Sequence, residues 1–164
     1  MILEYCDQRS LGDLMVSYAR SRQSFSSEYL WHILLSITKG LAYMHEGIAD
    51  VTRDTRPFSR SWIPTFHLDL KPDNIFLASS GQRGSHPRVV IGDFGGVVTA
   101  RDIDVRKASP RPQDLGNPYW NTPEHQEGVV GLYGVRYGPE SDIWQTGAIT
   151  VSYTHLTLPT KRIV

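Results

Sequence analysis

The sequence predicts a mixed α+β domain in which helices dominate and strands are short. Two patterns carry that prediction. Leu30, Ile33, Leu34, Ile37, Leu41 and Met44 recur at three- and four-residue spacing, as along a helix with one apolar face. Two brief apolar runs, Asn74–Leu77 and Val89–Ile91, flank the turn-rich segment Ser79–Pro87, as the arms of a hairpin-like strand pair would.

The other elements follow in chain order. Residues 1–6 read as a short strand, followed by a loop over Asp7–Ser10 and a segment of mixed helical character over Leu11–Ala19. Ser26 and Ser27 stand where the strong helix needs a cap, and Glu28 favours its first turn. From Glu46 to Pro64 the chain is polar, carries Arg53, Arg56 and Arg60, and lacks steady periodicity, which predicts an unusually long surface loop. Pro110, Pro112 and Gly116 predict another exposed loop over residues 100–117. A last helix is expected near Ser141, with that hydroxyl as cap ahead of Asp142. Past Val151, Pro159 and the threonines at 154, 157 and 160 oppose its continuation.

Composition bounds the function. The 164 residues are 40% hydrophobic with a formal net charge of zero, enough for one domain with a real core. A neutral chain gives no electrostatic reason to expect nucleic acid or a membrane surface as partner. No apolar run approaches the roughly 20 residues of a membrane helix, and the first residues lack the pattern of a signal peptide. The single cysteine, Cys6, excludes an internal disulfide framework and a Cys-rich zinc site. An intracellular setting, cytoplasm or nucleus, is the expectation.

The chemistry is concentrated in His67-Leu68-Asp69-Leu70-Lys71-Pro72-Asp73-Asn74. Phosphoryl transfer to a hydroxyl needs a carboxylate to orient the acceptor, a cation near the moving phosphate and oxygen ligands for magnesium. Asp69, Lys71 and Asn74 supply those three types, and Asp93-Phe94-Gly95 adds a second carboxylate beside a glycine. Asn74 and Asp93 are the hard oxygen donors that magnesium prefers. An isolated Asp-x-Lys is more often a solvated surface pair, so the argument rests on the motifs together.

The pattern resembles the catalytic loop and Asp-Phe-Gly motif of the eukaryotic protein kinases. Gly116-Asn117-Pro118-Tyr119-Trp120-Asn121-Thr122-Pro123-Glu124 is similar to the family segment ending in Ala-Pro-Glu, and Asp142-Ile143-Trp144-Gln145-Thr146-Gly147 to the start of its central helix. Four motifs stand in family order. The resemblance implies a protein-kinase-like fold, here a mainly helical C-terminal lobe over residues 1–151, without the N-lobe and last helices. Residues 152–164 are expected to be a non-native or unstructured tail.

The resemblance also implies roles. Asp69 is then the catalytic base, Lys71 contacts the transferred phosphate, and Asn74 and Asp93 hold Mg²⁺. Leu3 is the gatekeeper, the Glu4 carbonyl and Cys6 amide meet adenine, and Phe76 lies beneath the ring. Asn117 stands where Ser/Thr kinases carry a threonine bonded to the catalytic Asp and Lys. His67 and Phe94 belong to a buried apolar spine, and Asp142 anchors the catalytic-loop backbone. Lysine two residues after the base is the Ser/Thr pattern, and Glu4-Tyr5-Cys6 with Phe76 resembles the NIMA-related kinases. The implied activity is transfer of the ATP γ-phosphate to protein Ser or Thr, with ATP, Mg²⁺ and protein substrates as partners.

Departures define the rival reading. Leu68 replaces the arginine that in the family pairs with a phosphorylated activation loop, and Asn117 replaces threonine. No Gly-rich loop, N-lobe lysine or paired glutamate is present. The alternative is therefore a catalytically inactive kinase-like binding module or truncated remnant. A helix meant to be surrounded loses neighbours, and each large apolar side chain left in water forgoes roughly 1.5–3 kcal/mol. The isolated 164-residue chain is expected to be inactive, and unstable or aggregating when expressed alone. A cooperative thermal transition from a soluble monomer would contradict that instability.

Overall fold

A computed structural model describes residues 4–53, 61–102, 119–123 and 138–155. Three long helices, two 3₁₀ turns and two small antiparallel sheets make up most of the described architecture. Helix α1 (Leu11–Ser21) starts at a capping box: Ser10 Oγ accepts from the Asp13 amide while the Asp13 carboxylate receives the Ser10 amide. Those bonds hold the Asp13 carboxyl below its ordinary range. Helix α2 (Ser27–Glu46) is capped by Ser26, whose hydroxyl accepts from the Tyr29 amide, and Ser27 is already helical. It ends at Gly47, whose φ of 70° is left-handed backbone that glycine adopts without strain.

The apolar stripe of α2 faces inward as the periodicity predicts. Ile33, Ile37, Leu41 and Met44 are buried, Leu30 and Leu34 are half-buried at its margin, and Tyr29 takes the buried position at its start. Helix α3 (Pro139–His155) packs Ile149 and Tyr153 against this stripe, and α1 adds Leu11 and Met15 to the same core. Leu70 and Ile75 enter that core from the segment carrying the chemistry.

Strand β1 (Thr65–Phe66) pairs antiparallel with β4 (Val98–Thr99), and β2 (Ile75–Ala78) pairs antiparallel with β3 (Arg88–Ile91). The second pair is the predicted hairpin, with Ile75 opposite Ile91. The first pair is two residues long and carries no readable alternation; β1 begins directly after the loop expected over Glu46–Pro64. β3 lies against α2 closely enough that a Cβ on Gly40 would stand 2.7 Å from Ile91 Cδ1.

Several boundaries differ from the sequence expectation, among them residues 100–102, which are helical where a loop is expected. Residues 4–6 form no strand; it is residues 8–10 that run alongside β2, where the Gln8 amide donates to Leu77 O at 3.0 Å and the Leu77 amide to Arg9 O at 2.8 Å. Helix α3 begins at Pro139, so Ser141 lies inside it, its amide donating to Gly138 O; proline suits the first turn, where no amide partner is needed. The same helix continues four residues beyond Val151, because Tyr153 is fully buried and its hydroxyl reaches Leu30 O and Thr150 Oγ1. Tertiary burial outweighs the weak helix preference of threonine there. Burial also raises the Tyr153 hydroxyl above its ordinary range. Pro159 and the rest of the expected tail lie outside the described residues. Among the described residues, no helix is long and apolar enough to cross a membrane.

Candidate active site

Between β1 and a short 3₁₀ turn at Pro72–Asn74, the chain makes a tight loop whose backbone partners come from α3. Leu68 has a φ of 63°, a left-handed conformation that a non-glycine residue adopts at a cost of about 1–3 kcal/mol. Buried contacts hold it there. The Asp142 carboxylate accepts from the His67 amide at 2.9 Å, the Leu68 amide at 2.8 Å and His45 Nε2 at 2.8 Å. Three residues along α3, Gln145 Oε1 accepts from the Leu70 amide at 2.8 Å, and its Nε2 donates to Leu68 O at 3.1 Å. Asp142 is thus the structural anchor that the sequence suggests. Gln145 was not anticipated, although its spacing of three from Asp142 on one helix is a readable signal.

This anchored loop presents Asp69. Its Oδ2 accepts from Lys71 Nζ at 2.7 Å and from Asn74 Nδ2 at 3.0 Å, and Asn74 Nδ2 also donates to Asp69 O at 2.8 Å. The other oxygen, Oδ1, is buried without a hydrogen-bond partner. Leaving such an acceptor unmade costs about 1–3 kcal/mol, so an orphan on a polar side chain marks a place where a donor belongs. Both Asn74 bonds leave from the amide nitrogen, which leaves its oxygen to other uses.

Asp93 closes β3 in left-handed backbone, at a φ of 61°, and its side chain is exposed with no described bonding partner. Two bonds bring its strand to the Asp69 loop: the Gly92 amide donates to Asn74 O at 2.9 Å, and His67 Nε2 lies 3.0 Å from Gly92 O. A Cβ on Gly92 would meet the Phe76 ring at 2.7 Å, so glycine permits this approach. Phe94 packs on His67 with ring centroids 5.4 Å apart. His67 is buried as expected for the apolar spine, but Phe94 is 54% exposed. Its outer face has no described covering group.

A cleft of about 540 Å³ opens beside Asp93, lined by Glu4, Cys6, Phe76, Ile91, Asp93 and Phe94. Its lining is mostly apolar, with Phe76 on one wall, as suits a flat heteroaromatic ring. Burial, followed by the Glu4 charge, pushes the Cys6 thiol up, so it is a poor nucleophile and reads as a wall residue. The structure therefore brings Asp69, Lys71 and Asn74 together, and places Glu4, Cys6, Phe76 and Asp93 around one cleft. Leu3 and Asn117 lie outside the described residues.

Among the described residues no three His, Cys, Asp or Glu side chains could hold a metal by themselves. Two oxygen donors that need phosphate and water to complete a shell fit Mg²⁺, which is held in that way beside nucleotides.

A family model described as the protein kinase domain matches residues 1–162. The chain belongs to the protein kinase family. Three of its relatives, all Ser/Thr kinases by name, illustrate the match. The chain is 26% identical over 149 residues to serine/threonine-protein kinase Nek1 of Toxoplasma gondii, covering 91% of this chain and 8% of that protein. It is 30% identical over 159 residues to the probable serine/threonine-protein kinase roco8 of Dictyostelium discoideum, covering 97% of this chain and 7% of that protein. With the probable kinase nek2 of the same organism it shares 24% identity over 159 residues, 97% of this chain and 31% of that protein. Nek relatives agree with the NIMA-related resemblance, and roco8 matches at similar identity. This kinase chain thus spans under a third of the length of those three relatives.

Proposed function

We propose that this chain is the C-terminal-lobe portion of a protein Ser/Thr kinase, and that the whole protein transfers the ATP γ-phosphate to protein Ser or Thr hydroxyls. The observation that carries the reading is the split environment of Asp69. One carboxylate oxygen is occupied by Lys71 and Asn74, while the other is buried and unpartnered. A substrate hydroxyl donating to Oδ1 would satisfy it, and the proton would leave the hydroxyl for that oxygen as the new O–P bond forms and the bond to ADP breaks. Lys71, only 2.7 Å from the carboxylate, would place its positive charge where the phosphoryl passes.

Asn74 and Asp93 are the residues to hold Mg²⁺, which would supply charge neutralisation on the phosphates. The apolar cleft over Phe76 would take adenine, with the Glu4 carbonyl and Cys6 amide on its edge and Leu3 as gatekeeper. Asn117 would contact Asp69 and Lys71 from the activation segment. A single reduced cysteine fits an intracellular setting.

A catalytically inactive binding module is the rival, favoured by Leu68 and Asn117. Retention of Asp69, Lys71, Asn74 and Asp93 speaks against it, because a scaffold has no chemical need of all four. In the full-length protein, Asp69→Asn should lower phosphoryl transfer by about a hundred- to ten-thousandfold with nucleotide binding retained. Equal rates for the variant and the wild type would remove Asp69 from the chemistry and leave the binding module.

Leu68 adds a regulatory expectation. Its buried side chain packs with Phe66 and Val98, an apolar contact where an arginine would meet a phosphate. Thr99 already donates its hydroxyl to the Asp102 carboxylate at 2.7 Å. Alanine at Thr99 or Ser109 should leave the activity of the full-length enzyme nearly unchanged. A large loss in either variant would show that an activation-loop phosphate is needed after all.

A further inference from the structure

The segment that walls the cleft is exposed at Glu4 and Tyr5, yet it is tied to the β2–β3 hairpin by side chains distant in sequence. Asp7 accepts the Ser79 amide at 2.7 Å through Oδ1 and the Ser79 hydroxyl through Oδ2. Gln8 Nε2 donates to the same hydroxyl at 3.1 Å. Beside them, Glu4 pairs with Arg88 at the first position of β3. Below, the Gln8 and Arg9 backbone joins Leu77, and Ser10 bridges to Phe76, the residue under the cleft.

We infer that Asp7, Ser79 and Arg88 form a latch that positions the Glu4–Cys6 backbone for the nucleotide base. Ser79 is its centre: it follows β2 directly, and both side chains that bond it belong to the segment running on from Cys6. Hydrogen bonds from Ser79 hold the Asp7 carboxyl below its ordinary range, so the acceptor stays charged at neutral pH. The residues are solvent-exposed, where single pairs contribute little to global stability. Their effect is local: they restrict a segment that must offer a carbonyl and an amide in one register. These three are positioning residues, since none of them needs to touch the nucleotide.

The inference rests on the proposed ATP site, and its test separates the two. In the full-length protein, Ser79→Ala should raise KM for ATP about threefold, and Ser79→Asp, which sets a second carboxylate against Asp7, about tenfold, with kcat within about twofold of wild type. Combining Asp7→Asn with Ser79→Asp restores a donor–acceptor pair with its direction reversed and should return KM to within about twofold of wild type. Arg88→Ala should raise KM alone, and Arg88→Lys should recover most of it. Calorimetric titration with a non-hydrolysable ATP analogue and Mg²⁺ should rank the variants in the same order. Wild-type KM in Ser79→Asp, a loss in kcat in place of KM, or no rescue in the double variant would overturn the latch. A wild-type protein that binds no nucleotide would overturn the ATP site and the latch with it.

Discussion

Two polar side chains on one helix hold the loop on which everything else depends. Asp142 and Gln145 project from α3 into an apolar interior, where an unpaired carboxylate or amide would be costly. They are tolerated because the loop between β1 and the 3₁₀ turn offers its own buried backbone groups in return. The exchange is mutual. The loop gains partners for amides that no strand or helix satisfies, and Leu68 is kept in left-handed backbone. That conformation puts the Leu68 side chain against Phe66 and Val98, and the next residue, Asp69, beside Lys71 and Asn74. The carboxylate is therefore aimed by packing and buried hydrogen bonds remote from it.

The same economy governs the cleft. β2 and β3 are four residues each, too short to be stable alone, and gain support from α2 on one side and residues 7–10 on the other. Glycine at 92 lets the strand end approach Phe76, and the next residue turns into left-handed backbone to leave Asp93 facing outward. Catalytic-loop and cleft residues are thus linked by two bonds through Gly92, so displacement of one would be felt by the other.

Much of this was legible in the sequence, and the exceptions have physical causes. The α2 stripe and its serine cap were readable because both signals are local and periodic. The β2–β3 hairpin showed through its apolar arms and polar turn. Asp69, Lys71, Asn74 and Asp93 were legible as a chemical set, and the roles assigned to them rested on motif order. β1 and β4 were hidden because two-residue strands have no period to read. The end of α3 was misjudged because threonines and a later proline weaken local preference, whereas the burial of Tyr153 is decided by α2, more than a hundred residues earlier. The latch through Ser79 could not be read at all. Its partners are 72 residues apart, and each alone is an ordinary surface polar group.

The most direct test of the account is amide hydrogen exchange at His67, Leu68 and Leu70 in the full-length protein. These three amides lie in a loop, outside any helix or strand ladder, and each donates to a side chain of α3. Held as described, they should exchange as slowly as the buried middle of α2, opening only with the core. Exchange at the fast rate of an exposed loop, with α2 still protected, would mean that α3 does not hold the loop and that Asp69 is not positioned by it.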